Sequence, residues 1–67
     1  MDLHERAALA AETAESFEAR AEREAQRDPA LSAHYWQRAA QAWREYQRLE
    51  ARASKLARGI KDESEAA

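Results

Sequence analysis

The sequence predicts an all-α protein, an antiparallel two-helix hairpin that dimerises into a four-helix bundle. One glycine, one proline and 36% charged residues among 67 positions are typical of a helical chain. A single break, Arg27-Asp28-Pro29-Ala30, separates two alanine-rich stretches. Apolar residues on either side of the break pair at positions that sum to 56, from Ala21 with Tyr35 to Leu3 with Ala53. An antiparallel hairpin folded about residue 28 requires this symmetry.

Helix 1 is predicted over about residues 2–27. Asp2 supplies an N-cap and Glu5 stands at the third helical position, which is a variant of the capping box. Apolar residues then recur at alternating spacings of four and three, which indicates a heptad seam that faces the second helix. The seam of helix 1 consists of Leu3, Ala7, Ala10, Ala14, Phe17 and Ala21.

The turn is predicted at residues 28–29, and helix 2 over about residues 29–58. Asp28 caps helix 2, and Pro29 takes its first position, where a missing N–H costs nothing. Gly59 is predicted to end the helix. The hairpin domain therefore spans residues 1–59, and residues 60–67 are predicted to form a flexible acidic tail. The seam of helix 2 consists of Tyr35, Ala39, Ala42, Tyr46, Leu49, Ala53 and Leu56.

Length and composition favour a small cytoplasmic oligomer. A chain of 67 residues buries little apolar surface, and without cysteine it has neither disulfides nor thiolate metal sites. Oligomerisation is the remaining way to stabilise it, so a homodimer is expected. The longest apolar run is four residues and the N-terminus lacks the pattern of a signal peptide, which predicts no membrane association.

Beside the seam, one side of the hairpin carries two tryptophans seven residues apart, Trp36 and Trp43. We call this side the tryptophan flank. Besides the two tryptophans it contains small apolar residues, namely Ala8, Ala11, Ala25, Ala33 and Ala40. Burying each indole contributes several kcal/mol, at about 25 cal/mol per Å² over 150–250 Å². A dimer core is the favoured interpretation, and a groove for a foreign partner is the alternative. The predicted dimer interface is Trp36, Ala40, Trp43, Ala11, Phe17, Tyr46 and Leu49.

The opposite side, the basic flank, carries eight basic residues and one acid, Glu45. The eight are Arg6, Arg20, Arg23, Arg27, Arg38, Arg48, Arg52 and Lys55. Such a face suits an acidic protein surface or a phosphate backbone, although most surface charge only keeps a protein in solution. Residues 1–28 sum to −4 and residues 29–58 to +4, so the two helices differ in charge although the whole chain carries −2.

No residue pattern indicates catalysis, a metal or a cofactor, so we expect a protein that is not an enzyme. His4 and His34 are isolated from any second ligand at helical spacing, and the hydroxyl side chains have no adjacent base. A glycine-rich phosphate loop cannot form with one glycine.

Two resemblances suggest regulatory roles. The segment from Ala33 to Trp43 resembles the Ala-x-x-Trp-x-x-Ala core of small negative regulators of AraC-type activators. In size and predicted hairpin form, the chain is also similar to phage-encoded quorum-sensing anti-activators, which are dimeric and bind LuxR-type activators. The two-helix topology, with a tight turn near residue 28 and an acidic tail, resembles Rop-like plasmid copy-number proteins, which bind RNA.

The leading hypothesis is a dimeric hairpin that binds a host regulatory protein, above all a transcription activator, and inhibits it by occlusion. The resemblance to anti-activators implies a phage-encoded protein that acts on quorum sensing in the host cytoplasm. The alternative hypothesis is a Rop-like RNA- or DNA-binding regulator that uses the arginine-rich face. The predicted partner-binding residues are Arg38, Arg44, Arg48, Arg52, His34 and Tyr35.

Overall fold

The chain folds into two helices that pack against each other along an antiparallel hairpin. The computed structural model describes the backbone of residues 1–66 and the side chains of residues 1–58. Helix α1 is Leu3–Glu24 and helix α2 is Pro29–Ala66. No strand occurs in the described residues, so the predicted all-α hairpin is confirmed.

Both helices begin at the aspartates that the sequence predicts as caps. An Oδ1 atom of Asp2 accepts a hydrogen bond of 2.8 Å from the backbone N–H of Glu5. The same atom of Asp28 accepts one of 3.1 Å from the N–H of Leu31. Each bond satisfies one of the free N–H groups in the first turn of a helix, which stabilises the start of both α1 and α2.

The seam between the helices is built mainly from alanine. Its buried apolar residues are Ala7, Ala14, Ala21, Ala39 and Leu49. No large side chain among residues 1–58 is fully buried. Small side chains let two helices approach closely, but each buries little apolar area, so the isolated hairpin has a thin core.

Ser32 belongs to this seam, although the sequence analysis did not assign it there. Its side chain is 5% exposed, and its Oγ donates a hydrogen bond of 2.7 Å to the backbone carbonyl of Ala21. The alternating spacing of four and three residues extends back from Tyr35 to position 32. The seam was identified from apolar residues, however, and serine is polar. The last carbonyl groups of a helix have no N–H partner within that helix. This hydrogen bond satisfies one of them in α1 and links the last turn of α1 to the first turn of α2.

Helix α1 ends at Glu24, three residues before the predicted end near residue 27. Residues 25–27 form a turn that leads into Asp28. A residue before proline is disfavoured in the helical region, so the chain must leave the helix before Pro29, and reversing direction takes several residues. Arg27 pairs with Glu24 across this turn, with its Nε atom 3.0 Å from Oε2 of the glutamate.

Helix α2 runs through Gly59 to Ala66, so the predicted stop at Gly59 is wrong. Glycine in a helix costs about 1 kcal/mol relative to alanine, which weakens a helix without ending it when good helix formers surround it. The backbone of residues 60–66, predicted as a flexible tail, is therefore helical, and Ala67 lies outside the described residues.

The two helices differ in length, and α2 extends beyond the hairpin. The molecule measures 61 × 17 × 12 Å, whereas the 22 residues of α1 span about 33 Å. Because Leu3 lies level with Ala53, later residues of α2 have no opposing turn of α1. Leu56, which the sequence assigned to the seam, is accordingly 54% exposed.

None of the helices in the described part of the chain has the length and apolar character needed to cross a membrane.

Candidate binding surfaces on the two flanks

A row of depressions follows the basic flank of the hairpin, and we call this row the groove. Its middle section, about 390 Å³ in volume, has the apolar residues Leu9, Ala10, Ala42 and Leu49 in its lining, together with Met1, Arg6, Thr13 and Glu45. A section of about 310 Å³ continues toward the turn on the surface of α1 and shares Leu9 and Thr13 with the middle section; its lining also includes the acid Glu12. The two sections share lining residues and therefore adjoin each other, and the row has both apolar and charged parts.

At the turn end, the groove widens into a cleft of about 610 Å³ with a basic rim. Two arginines of α1 and Arg27 of the turn line it, and Glu24 is the only acid in the lining. The Glu24 side chain is 15% exposed and pairs with Arg27, so one of the three guanidinium groups is partly neutralised. The lining residues are Arg20, Arg23, Glu24, Arg27 and Tyr35.

The ring of Phe17 gathers aromatic and basic side chains from both helices at this end. Tyr35 stacks on it with ring centroids 6.2 Å apart, and the guanidinium carbons of Arg20 and Arg38 lie 6.0 and 5.6 Å from its centroid. His34 lies beside Tyr35, with 5.9 Å between the ring centroids. Cation–π attraction of this kind favours guanidinium groups that are held over the ring rather than free in solvent.

At its other end the groove meets the start of α1. A depression of about 510 Å³ lies between the first residues of the chain and α2, and it shares Met1 and Arg6 with the middle section. Arg52 and Leu56 contribute from α2. The row of depressions therefore follows the whole length of α1, with arginines at both ends and the acids Glu12 and Glu45 between them.

The predicted partner-binding residues divide into two groups in the structure. Tyr35 and Arg38 lie at the turn end of the groove and Arg52 at the other end. Arg48 is exposed and pairs with Glu45 one turn earlier on α2. Arg44 is also exposed, but its place in the heptad is on the outer face of α2, beside the tryptophan flank.

Sequence reasoning placed Arg20, Arg23, Arg27 and Leu9 on the basic flank but did not select them as binding residues. The structure brings all four into the lining of the groove. Their periodic spacing on α1 was visible in the sequence. The sequence does not show that these arginines lie next to Tyr35 of the opposite helix.

Within the tryptophan flank, the side chains of α2 that lie away from α1 are more exposed to solvent than those that contact α1. Trp36 is 43% exposed and Ala40 is exposed beside it. Trp43 is partly buried: its indole N–H donates a hydrogen bond of 3.1 Å to Oε2 of Glu18, and its ring lies edge-on to Tyr46 with centroids 5.5 Å apart.

The hairpin itself uses three of the residues predicted for the dimer interface. Leu49 is only 6% exposed, and Phe17 and Tyr46 are partly buried by contacts within the hairpin. Trp36, Ala40, Trp43 and Ala11 remain on the tryptophan flank, where Ala11 is partly buried. These four are the predicted interface residues through which a second copy could reach the hairpin.

No group of three or more histidine, cysteine, aspartate or glutamate side chains in the described residues is arranged to hold a metal ion.

Comparison with known proteins gives no significant match: no protein-family model, curated protein or solved structure is similar to the chain. The resemblance to small anti-activators therefore stays a prediction.

Proposed function

We propose that this chain is a non-enzymatic protein-binding hairpin that captures an acidic amphipathic helix of a regulatory protein and inhibits that protein by occlusion. The observation that carries the proposal is the groove of the basic flank, which has apolar residues along its middle section and arginines at both ends. An amphipathic helix laid into such a groove buries its apolar face, with anchors spaced three and four residues apart.

The dimensions and charge of the groove suit a helical ligand. Helix α1 is about 33 Å long, which corresponds to six turns of a bound helix. Arg6 and Arg52 at one end and Arg20 and Arg38 at the other can pair with acids beside the apolar stripe of the ligand. Complementary charge of this kind speeds association and selects among partners.

The identity of the partner as a transcription activator comes from the resemblance of the Ala33–Trp43 segment to small anti-activators. On this proposal the protein acts in the cytoplasm, as an inhibitor of a transcription activator must. A phage-encoded inhibitor of quorum sensing is the specific version, in which the cytoplasm is that of the host.

Capture from nuclease-treated host lysate tests the proposal. The wild-type chain is compared with a groove variant, Leu9→Glu with Arg52→Glu, and with Arg44→Glu as the control. Leu9 is 51% exposed and both arginines are exposed, so all three substitutions should leave the hairpin folded, which circular dichroism checks. A transcription regulator retained by wild type and the control but lost by the groove variant supports the proposal. An unchanged set of captured proteins contradicts it.

Binding of RNA or DNA is the second candidate, and the cleft at the turn end favours it. Arg20, Arg23 and Tyr35 there offer guanidinium groups for phosphates and an aromatic ring for a base. A single-stranded ligand would lose affinity steeply with salt, with a slope of about 0.7 log unit per phosphate contacted. Filter binding of total RNA at about 50–200 mM salt measures this salt dependence. No retention at the lowest salt concentration excludes this candidate.

A further inference from the structure

We infer that a second copy of this chain covers the tryptophan flank, in an arrangement where α1 of each copy packs against α2 of the other. The inference goes beyond the proposed function because it concerns the flank opposite the groove. It specifies both the occupant of the surface and the order of the four helices.

The exposed surface supports a partner on this flank. The chain exposes 5287 Å², whereas a compact monomer of 7.6 kDa exposes about 4,300 Å² by the usual scaling with mass. Part of the excess belongs to the overhang of α2. On the tryptophan flank, Trp36 is 43% exposed beside the exposed Ala33 and Ala40. A standard interface removes about 800 Å² from each partner, which is comparable with the excess.

The two helices contribute differently to this flank. Helix α1 supplies acids, of which Glu15 and Glu22 are exposed on the flank and Glu12 on its outer edge. Helix α2 supplies the tryptophans and small side chains, with Arg44 on its outer edge and one acid, the exposed Glu50, seven residues after Trp43. Around the middle of the flank, the α1 half therefore carries acids among alanines, whereas the α2 half is apolar with Arg44 at its border.

This difference selects between the two symmetric ways of pairing the flanks. A two-fold axis perpendicular to the helices sets α1 against α1 and α2 against α2, which brings the acids of both copies together. An axis parallel to the helices sets α1 of each copy against α2 of the other. Like charges that face each other oppose association, and opposite charges favour it, so the second arrangement is preferred.

The register of the hairpin then identifies the facing residues. Rotation about an axis parallel to the helices keeps every residue level, and residues of α1 and α2 that sum to about 56 are level within one hairpin. The contact of Arg38 with Phe17 agrees with this register within one residue, and the long side chains of Trp43 and Glu18 meet although their positions differ by about one and a half turns. Arg44 therefore faces Glu12 and the neighbouring Glu15 of the second copy.

These charged groups have no competing partner in the hairpin. Among the side chains of residues 1–58, neither Arg44 nor the glutamates at positions 12 and 15 form an ion pair within 4 Å. They are free to pair across the interface.

Disulfide trapping tests the helix order, and it is clean because the chain contains no cysteine. Glu15 lies nearly level with Ala40, so a mixture of Glu15→Cys and Ala40→Cys chains should oxidise to a mixed disulfide dimer. A disulfide requires Cα atoms about 4.4–6.8 Å apart, which only adjacent helices provide. The Ala40→Cys chain alone should stay unlinked, because the two α2 helices lie diagonally across the bundle.

The opposite arrangement gives the opposite result. Pairing Trp36 of one copy with Trp43 of the other centres the axis at Ala40, so Ala40→Cys alone would cross-link efficiently. That outcome, or a monomer at all concentrations in sedimentation equilibrium, overturns the inference.

Charge reversal gives a second test that does not rely on cysteine. Arg44→Glu should raise the dissociation constant of the dimer at least about tenfold, while Arg48→Glu on the basic flank should leave it unchanged. Combining Arg44→Glu with Glu12→Arg and Glu15→Arg should restore the dimer. If Arg44→Glu leaves the dissociation constant of the dimer unchanged and the triple variant does not differ from it, Arg44 does not face Glu12 and Glu15 of the second copy. Arg44→Glu is also the control that should still capture the regulatory protein from lysate. Its dimerisation and its partner capture are measured separately, so failure of one proposal is distinguishable from failure of the other.

Discussion

Trp43 and Glu18 join the two helices through a side-chain hydrogen bond, in which the indole N–H lies 3.1 Å from Oε2 of the carboxylate. Both side chains are partly buried, so the bond forms where water competes less than at an open surface. It links α2 to the acidic side of α1 and orients the indole edge-on to Tyr46. The isolated seam of alanines provides no comparable directional contact apart from that of Ser32.

A double-mutant cycle should measure the strength of this bond. Trp43→Phe removes the donor and Glu18→Ala removes the acceptor. The coupling between the two changes should be about 1.5 kcal/mol in the free energy of unfolding, the lower end of the range for hydrogen bonds to charged groups, because both side chains are only partly buried. Urea denaturation followed by circular dichroism gives the four values. Additive changes would mean that the bond contributes nothing to stability.

Ser32→Ala should lower the free energy of unfolding by about 1 kcal/mol, because the carbonyl of Ala21 loses a buried donor. Ser16→Ala is the matched control: Ser16 is exposed on α1, and alanine there should be neutral or slightly stabilising. Thermal and urea unfolding compare the two. Equal effects from both substitutions would show that the Ser32 contact is unimportant.

Removing the cap of α2 should also destabilise the hairpin. Asp28→Ala should cost about 1 kcal/mol through the lost bond to the Leu31 N–H, whereas Asp28→Asn should keep most of the stability because asparagine caps as well. The midpoint of urea unfolding measures both. Equal losses in the two variants would indicate that charge, rather than capping, is the contribution of this side chain.

Gly59→Ala should increase helical content more than global stability. Alanine is favoured over glycine by about 1 kcal/mol within a helix, and this part of α2 lies beyond the level of Leu3, the first residue of α1. The circular dichroism signal at low temperature should therefore rise while the midpoint of unfolding changes little. A large shift of the midpoint would mean that the segment packs against the rest of the molecule.

The sequence predicts the hairpin well because its local signals agree with one another. Asp2 and Asp28 cap where predicted, and the alternating spacing identifies Ala7, Ala14 and Ala21 as buried. These features depend on periodicity and on single side chains near the backbone that they cap, both of which a sequence displays.

The remaining features depend on relationships that no local pattern displays. Ser32 is buried because a carbonyl of the other helix stands opposite it, and Leu56 is exposed because α1 is too short to cover it. The groove has the same origin: Arg20 and Tyr35 come from different helices and meet only once the turn has formed. The predicted end of helix 2 at Gly59 is wrong because the helix propensity of one unfavourable residue is outweighed by that of the many favourable residues around it.

The overhang of α2 has a practical consequence for experiments on this protein. From Ala53 to Ala66 the helix advances about 20 Å past the level of Leu3. A fluorophore or affinity tag joined to the C-terminal end of α2 is thus held away from both flanks. A tag joined before Met1 sits instead at the mouth of the groove. C-terminal labelling is the choice for surface immobilisation, and N-terminal labelling would report ligand entry.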